Sequence, residues 1–369
     1  MKNINSLEVF LNQKLIGKLA ITPDNLCAFE YDAEYIKTGT SISPFILPLE
    51  TNVFIAKRTP FSGGFGVFGD SLPDGWGNLI LDYYLKQKGI DPYKLTILQR
   101  LSLIGSNGRG ALEYFPDNSS EEKEGIIDFD VLAKEAEAIL SSKDYDGGAI
   151  DTFYQYGSSS GGARPKIFVK IDGKEWLVKF KSTYDSKDIG QIEYDYSLLA
   201  KECGIEMPET KLILGKYFAV QRFDRTEEGK IHTISASGLL NADHRIPSLD
   251  YIDLLKACAI LTNNMEEVYK LFRQMVFNII ISNRDDHSKN FSFQLVNNNW
   301  IISPAYDILP SIGFNGYHTT TINSQGEPTL KDITDLARII GLNKQRSKKI
   351  IEEISDITLS RKMLKHTIK

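Results

Sequence analysis

The stretch Asn283-Arg284-Asp285-Asp286-His287-Ser288-Lys289-Asn290-Phe291-Ser292-Phe293-Gln294-Leu295-Val296-Asn297-Asn298-Asn299-Trp300-Ile301-Ile302-Ser303-Pro304-Ala305-Tyr306-Asp307 decides how this chain reads. Asp285 precedes Asn290 by five positions, and two short strand-like segments, Phe291–Val296 and Trp300–Ser303, flank three asparagines as a hairpin would. Asp307 closes the unit. An aspartate, an asparagine one short loop later and a second aspartate beyond a rigid hairpin suit phosphoryl transfer. One carboxylate orients the attacking hydroxyl, and two oxygen ligands, Asn290 and Asp307, hold Mg²⁺ against the phosphates. That chemistry is mostly positioning and charge neutralisation, so groups at the two ends of a hairpin can converge on one phosphate. Asp286 and His287 are alternative metal ligands, disfavoured because adjacent residues seldom point at one ion.

Upstream, Val268, Leu271, Phe272, Met275, Val276, Ile279 and Ile280 recur at helical spacing and predict a helix that delivers the chain into this loop. Farther back, Lys166–Ile171 and Glu175–Phe180 read as strands paired around an Asp172-Gly173 turn. Trp176, Val178 and Phe180 fall on one face and Lys179 on the other. A lysine fixed on such a strand reaches a phosphate when a carboxylate holds it, and Glu193, opening a predicted helix over 193–203, fits that role. Lys181 shares the face and competes for the assignment.

Gly157-Ser158-Ser159-Ser160-Gly161-Gly162-Ala163-Arg164-Pro165-Lys166 lies just before the first of these strands. Its glycine amides could wrap phosphates, and its bland reading is a flexible linker. Strands are also predicted over 211–215 and 218–222. The segment Ala219-Val220-Gln221-Arg222-Phe223-Asp224-Arg225 could serve as a hinge. Its backbone would meet an adenine edge, Phe223 would cover the ring and Asp224 would bond the ribose.

The remainder is that of a soluble globular protein: 369 residues, 42% apolar and 25% charged. No apolar run is long enough for a membrane span, and the N-terminus reads as having no secretory leader. Cys27, Cys203 and Cys258 lack the spacing of a zinc site or a disulfide framework, which points to a cytoplasmic protein. The net charge of −5 argues against broad nucleic-acid binding, although residues 344–369 carry eight Lys/Arg against three Asp/Glu. That segment is either a solvated helix face or a phosphate-backbone contact.

Strands are expected over 7–11, 15–19 and 29–35, and helices over 76–87 and 130–142. The polar run 116–125 reads as a linker. The expected organisation is an N-terminal subdomain over 1–118, a linker over 119–126, a strand-rich lobe over 127–225 and a helical catalytic lobe over 226–369. The fold class is α+β, a bilobal protein-kinase-like architecture.

Together these segments resemble the HipA family of bacterial toxin serine/threonine kinases, over nearly the whole chain. Gly161-Gly162-Ala163-Arg164-Pro165-Lys166 looks like the family's phosphate loop, Gln221-Arg222-Phe223-Asp224-Arg225 is similar to its hinge, and Asp285-Asp286-His287-Ser288-Lys289-Asn290 resembles its catalytic loop. Tyr306-Asp307 resembles its metal-binding pair, and Leu72-Pro73-Asp74-Gly75 and Leu103-Ile104-Gly105 with Gly110-Ala111-Leu112 resemble motifs of its N-terminal subdomain. The resemblance implies an ATP- and Mg²⁺-dependent kinase, toxin of a type II toxin–antitoxin pair. It implies nucleotide contacts from Gly161 to Lys166, Lys179, Gln221 to Asp224, His287 to Asn290, Tyr306 and Asp307.

It further implies autophosphorylation in the Gly/Ser loop, with Ser159 as the matching serine and the flanking Ser158 and Ser160 as alternatives. The implied partners are a separate HipB-like helix-turn-helix antitoxin, operator DNA reached through that complex, and a protein substrate such as an aminoacyl-tRNA synthetase. Three departures stand out. The tail beyond Asp307 is short, three consecutive serines occupy the Gly/Ser loop, and Asp286 adds negative charge beside the candidate base. The rival readings are a nucleotide-binding co-repressor without phosphotransfer and a stand-alone effector kinase.

Overall fold

The computed structural model describes residues 4–120, 127–142, 145, 147–157, 159–313 and 315–361. The expected linker core at 121–126, Ser158 and the last eight residues of the basic tail lie outside them. By its contacts the chain divides into two compact units, one of residues 1–191 and 210–232, the other of 192–209 and 233–369.

The first unit holds two antiparallel sheets. The five-stranded sheet runs Val53–Ile55, Cys27–Tyr31, Lys14–Ile21, Ser6–Leu11, Leu112–Phe115. Leu7, Val9, Ile16, Leu19 and Phe29 are buried in its core. The four-stranded sheet runs Lys166–Ile171, Lys174–Lys179, Tyr217–Gln221, Thr210–Ile213. Asp172 and Gly173 both take positive φ between its first two strands, the geometry of a two-residue hairpin turn.

The helices Gly75–Gln87, Phe129–Ser141 and Ala149–Gly157 share one core with this second sheet, built from Trp76, Ile80, Phe153, Trp176, Val178 and Phe180. The boundary expected at 119–126 therefore does not separate one core from another, because Trp76 and Ile80 of the N-terminal segment are buried among residues of the later strands. The strand expected over 29–35 ends at Tyr31. Asp32 then caps the helix Ala33–Thr38 through bonds from the Glu34 and Tyr35 amides.

The second unit is mainly helical. Met265–Ile280 is capped by Asn264, carries Glu266 and Glu267 in its first turn and buries Val268, Leu271, Phe272, Met275 and Val276. The hairpin strands are Ser292–Val296 and Asn299–Ile302. Asn297 and Asn298 supply the positive φ values of the turn, which asparagine tolerates. The buried Glu267 carboxylate accepts from the Ile302 amide at 2.9 Å and so ties the hairpin to the helix.

The basic segment forms the helix Lys344–Ser360. Lys348 pairs with Glu352 and Lys349 with Glu353 along it, Arg346 pairs with Glu266, and Arg361 beyond its end pairs with Glu202. Much of the local positive charge is thus matched within this unit, as on a solvated helix face. Among the described residues no helix is long and apolar enough to cross a membrane.

Candidate active site

In the first unit the Gly/Ser loop leaves the helix Ala149–Gly157 and enters the strand Lys166–Ile171. Ser160 is buried and its hydroxyl donates to the Gly157 carbonyl at 2.6 Å, whereas Ser159 is partly exposed. Gly161, Gly162 and Ala163 are exposed, with Gly162 at φ +85°. Leu72-Pro73-Asp74-Gly75 grips this loop. The Asp74 carboxylate accepts from the Gly162 amide, and the Trp76 amide donates to the Gly162 carbonyl at 2.9 Å. Gly75 sits at φ +39°, and a Cβ there would lie 2.5 Å from the Gly162 carbonyl oxygen, so only glycine allows the approach.

Arg164 makes a two-nitrogen ion pair with Asp185. It is committed to holding the segment after the strand Lys174–Lys179. The Pro165 carbonyl accepts from the Phe180 amide at 2.8 Å, closing the mouth of the strand pair.

Lys166 and Lys179 stand directly opposite each other across that pair, and both are buried. The Lys166 ammonium donates to the Gly161 carbonyl, and the Lys179 ammonium lies 5.6 Å from the Phe218 ring centroid. The competing Lys181 lies past the strand end, exposed, and pairs with Glu137 at 3.2 Å. Glu193 is buried in the helix Ile189–Glu202, at its fifth residue rather than its first.

Within the segment expected as a hinge, Asp224 departs from its expected role. Gln221 ends the strand Tyr217–Gln221, and Phe223 lies under the Arg109 guanidinium at 5.9 Å. Asp224, expected to face a ribose, is 5% exposed, and both its oxygens are engaged. Arg222 bonds Oδ1 at 3.0 Å and Oδ2 at 2.9 Å, Arg225 bonds Oδ2 at 3.1 Å, and the Gly110 amide donates to Oδ2 at 2.8 Å. Arg225 also donates to the carbonyls of Gly108 and Gly110. Burial alone would raise the Asp224 carboxyl, but the two guanidinium groups hold it well below the usual carboxylate range.

Asp224 is therefore a buried clamp between the hinge and the 108–110 turn, not a ribose ligand. Asp224→Asn is expected to cost about 3–5 kcal/mol of stability in urea unfolding, because it leaves two largely buried guanidinium groups with only the partly exposed Glu175 as a carboxylate partner. Nucleotide affinity of the folded variant should stay near wild type. A weakened affinity with an unchanged unfolding midpoint would restore the ribose role.

In the second unit the helix Met265–Ile280 feeds the loop through a bond from the Asn283 amide to the Asn278 carbonyl, 2.8 Å. Asp285 is exposed, and its backbone is fixed on both sides. Its amide donates to Ser311 Oγ at 2.7 Å, and its carbonyl accepts from Asn290 Nδ2 at 2.7 Å. That bond commits the amide nitrogen of Asn290 and leaves Oδ1 as the end suited to a cation. Asp307 holds φ +53°, a left-handed conformation uncommon outside glycine, and its carbonyl accepts from Asn283 at 3.3 Å. Among the described residues no three His, Cys, Asp or Glu side chains gather as a metal site. One carboxylate and one amide oxygen suit Mg²⁺, which keeps water and phosphate oxygens for the rest of its shell.

Two of the residues expected to face the nucleotide, Ser288 and Tyr306, make bonds that brace the loop. Ser288 is buried and its hydroxyl donates to the Ala242 carbonyl at 3.2 Å. The Tyr306 hydroxyl lies 2.6 Å from both the Lys289 carbonyl and Ser292 Oγ, strutting the loop against the hairpin. His287 is partly buried, its ring edge-on to His244 at 5.9 Å, and its Nδ1 is enclosed without a hydrogen-bond partner.

Asp286 adds no charge beside the base on the surface. It is wholly buried and accepts from Tyr251, His318 and the amides of Thr319 and Thr320. Its oxygens are filled, which removes it as a metal ligand. Tyr251, Asn278 and His318 have no local signal in the sequence that marks them as part of this loop's support.

Residues 7–115 match the family model of the HipA N-terminal domain and residues 158–361 that of the HipA-like C-terminal domain. Y4dM of Sinorhizobium fredii, a protein named as a kinase, is 24% identical over 361 residues, 88% of this chain and 81% of Y4dM. HipA in the Shewanella oneidensis MR-1 complex of HipA, HipB and operator DNA superposes with a TM-score of 0.74 at 19% identity. The match covers 98% of this chain and 91% of that one. With both domain models matched in order and the second spanning more than half of its length, this chain belongs to the HipA family.

Proposed function

We propose that this chain is an ATP- and Mg²⁺-dependent serine/threonine protein kinase and the toxin of a toxin–antitoxin pair. The observation that carries the reading is the pair Lys166 and Lys179, directly opposed across two strands beside a glycine loop, ammonium and backbone donors of the kinds a polyphosphate takes. Lys179 holds the phosphates and Glu193 holds Lys179. The amides of Gly161 to Ala163 cradle phosphate oxygens, and the Gln221–Phe223 backbone and ring meet the base. Asn290 and Asp307 hold Mg²⁺, which neutralises the charge that builds on the phosphates. Asp285 accepts a hydrogen bond from the acceptor hydroxyl and orients it.

Of the loop serines, Ser159 is the proposed autophosphorylation site, since the Ser160 hydroxyl is turned inward. A helix-turn-helix antitoxin, operator DNA reached through it and a protein substrate such as an aminoacyl-tRNA synthetase are the proposed partners, in the cytoplasm. The relative in complex with HipB and operator DNA supports the first two. Calorimetric titration with ATP tests the nucleotide step. Binding should strengthen on adding Mg²⁺ and weaken at least ~10-fold in Lys179→Ala. Equal affinity in the variant would sink the phosphate assignment.

A further inference from the structure

A continuous buried network runs from the residue after Asp285 to the backbone of Asp307. Asp286 Oδ1 accepts from the amides of Thr319 at 2.9 Å and Thr320 at 3.2 Å. Its Oδ2 accepts from Tyr251 Oη at 2.8 Å and from His318 Nδ1 at 2.9 Å. Tyr251 Oη in turn accepts from Asn278 Nδ2 at 3.3 Å. Asn278 Oδ1 accepts from Asn283 Nδ2 at 3.1 Å, and the same nitrogen reaches the Asp307 carbonyl at 3.3 Å. Each side chain in this network is 5% exposed or less. A buried polar network with all its members bonded is rigid, and one broken link leaves neighbours unsatisfied.

We propose that Asp286, through Tyr251, Asn278 and Asn283, is a positioning residue. It sets the placement of the candidate base Asp285 relative to the candidate metal ligand Asp307 before any substrate binds. This rests on the kinase reading. The geometry supports it on two counts. Asp285 and Asp286 are neighbours, so anchoring the buried carboxylate on the 318–320 segment fixes where the exposed one projects. The network's other end grips Asp307 at its left-handed φ, where the backbone needs outside support.

Tyr251→Phe cuts the network in the middle while keeping the ring. Hydrogen–deuterium exchange on the full chain should then quicken in both 283–290 and 305–309, with the hairpin strands unchanged. In phosphotransfer assays kcat should fall about 10- to 100-fold, while KM for ATP stays within ~3-fold, since misplacement by about an ångström costs rate more than binding. In an Asp285→Asn background the same substitution should cost far less, because it acts through the base. Unchanged exchange in the 305–309 segment overturns the coupling. A wild-type kcat in Tyr251→Phe overturns the positioning role. A wild-type chain that transfers no phosphate overturns the kinase reading instead, and the exchange result then decides the coupling by itself.

Discussion

Asp307→Asn is expected to abolish phosphoryl transfer while leaving the fold as it is. The substitution removes one negative charge and keeps the shape. Asparagine also tolerates the left-handed φ of +53° better than most residues, so the backbone at this position gains no strain. What is lost is the anionic oxygen that would hold Mg²⁺ against the phosphates. Removing one pre-set electrostatic group at such a centre costs about 10²–10³ in rate, and removing the anionic ligand of the metal should cost at least that. ATP turnover against Mg²⁺ concentration, with a thermal melt alongside, checks both halves. Wild-type turnover would remove Asp307 from the site.

Asp285→Asn is the second large effect. Its backbone is held by Ser311 and Asn290 through its own amide and carbonyl, which the substitution leaves in place. The lost group is the acceptor for the substrate hydroxyl, worth about 10²–10⁴ in rate for a positioned base. Because Asp285 would touch the acceptor rather than ATP, kcat should fall with KM for ATP little changed. Near-normal transfer would move the base elsewhere in the loop.

The elements that carry these two positions were legible in the sequence for a physical reason. Hairpin strands, an asparagine-rich turn and an amphipathic helix are local patterns, and Met265–Ile280, Ser292–Val296 and Asn299–Ile302 lie within a few residues of where alternation and helical spacing put them. Lys179 was legible as a face of a strand, but its competitor Lys181 was set aside only by where the strand ends.

What the sequence concealed are roles set by distant partners. Asp224 reads as a polar hinge residue until Gly110, more than a hundred positions earlier, is found donating to it. Asp286 reads as surplus charge until Tyr251 and His318 are found against it. A carboxylate's burial and its partners are tertiary facts, and no period of two or 3.6 residues carries them. The missed helix Ala33–Thr38 is a different case. Asp32 followed by Glu34 and, in the last turn, Lys37 is a usable local cap signal.

The most direct test of the kinase reading is the intact mass of the full chain before and after incubation with ATP and Mg²⁺, beside Asp307→Asn treated identically. The account predicts that wild type gains phosphoryl mass, or already carries it as purified, with the modification mapping to the loop at Ser159, and that the variant neither carries nor gains any. An unmodified wild-type chain that stays unmodified under these conditions would contradict it.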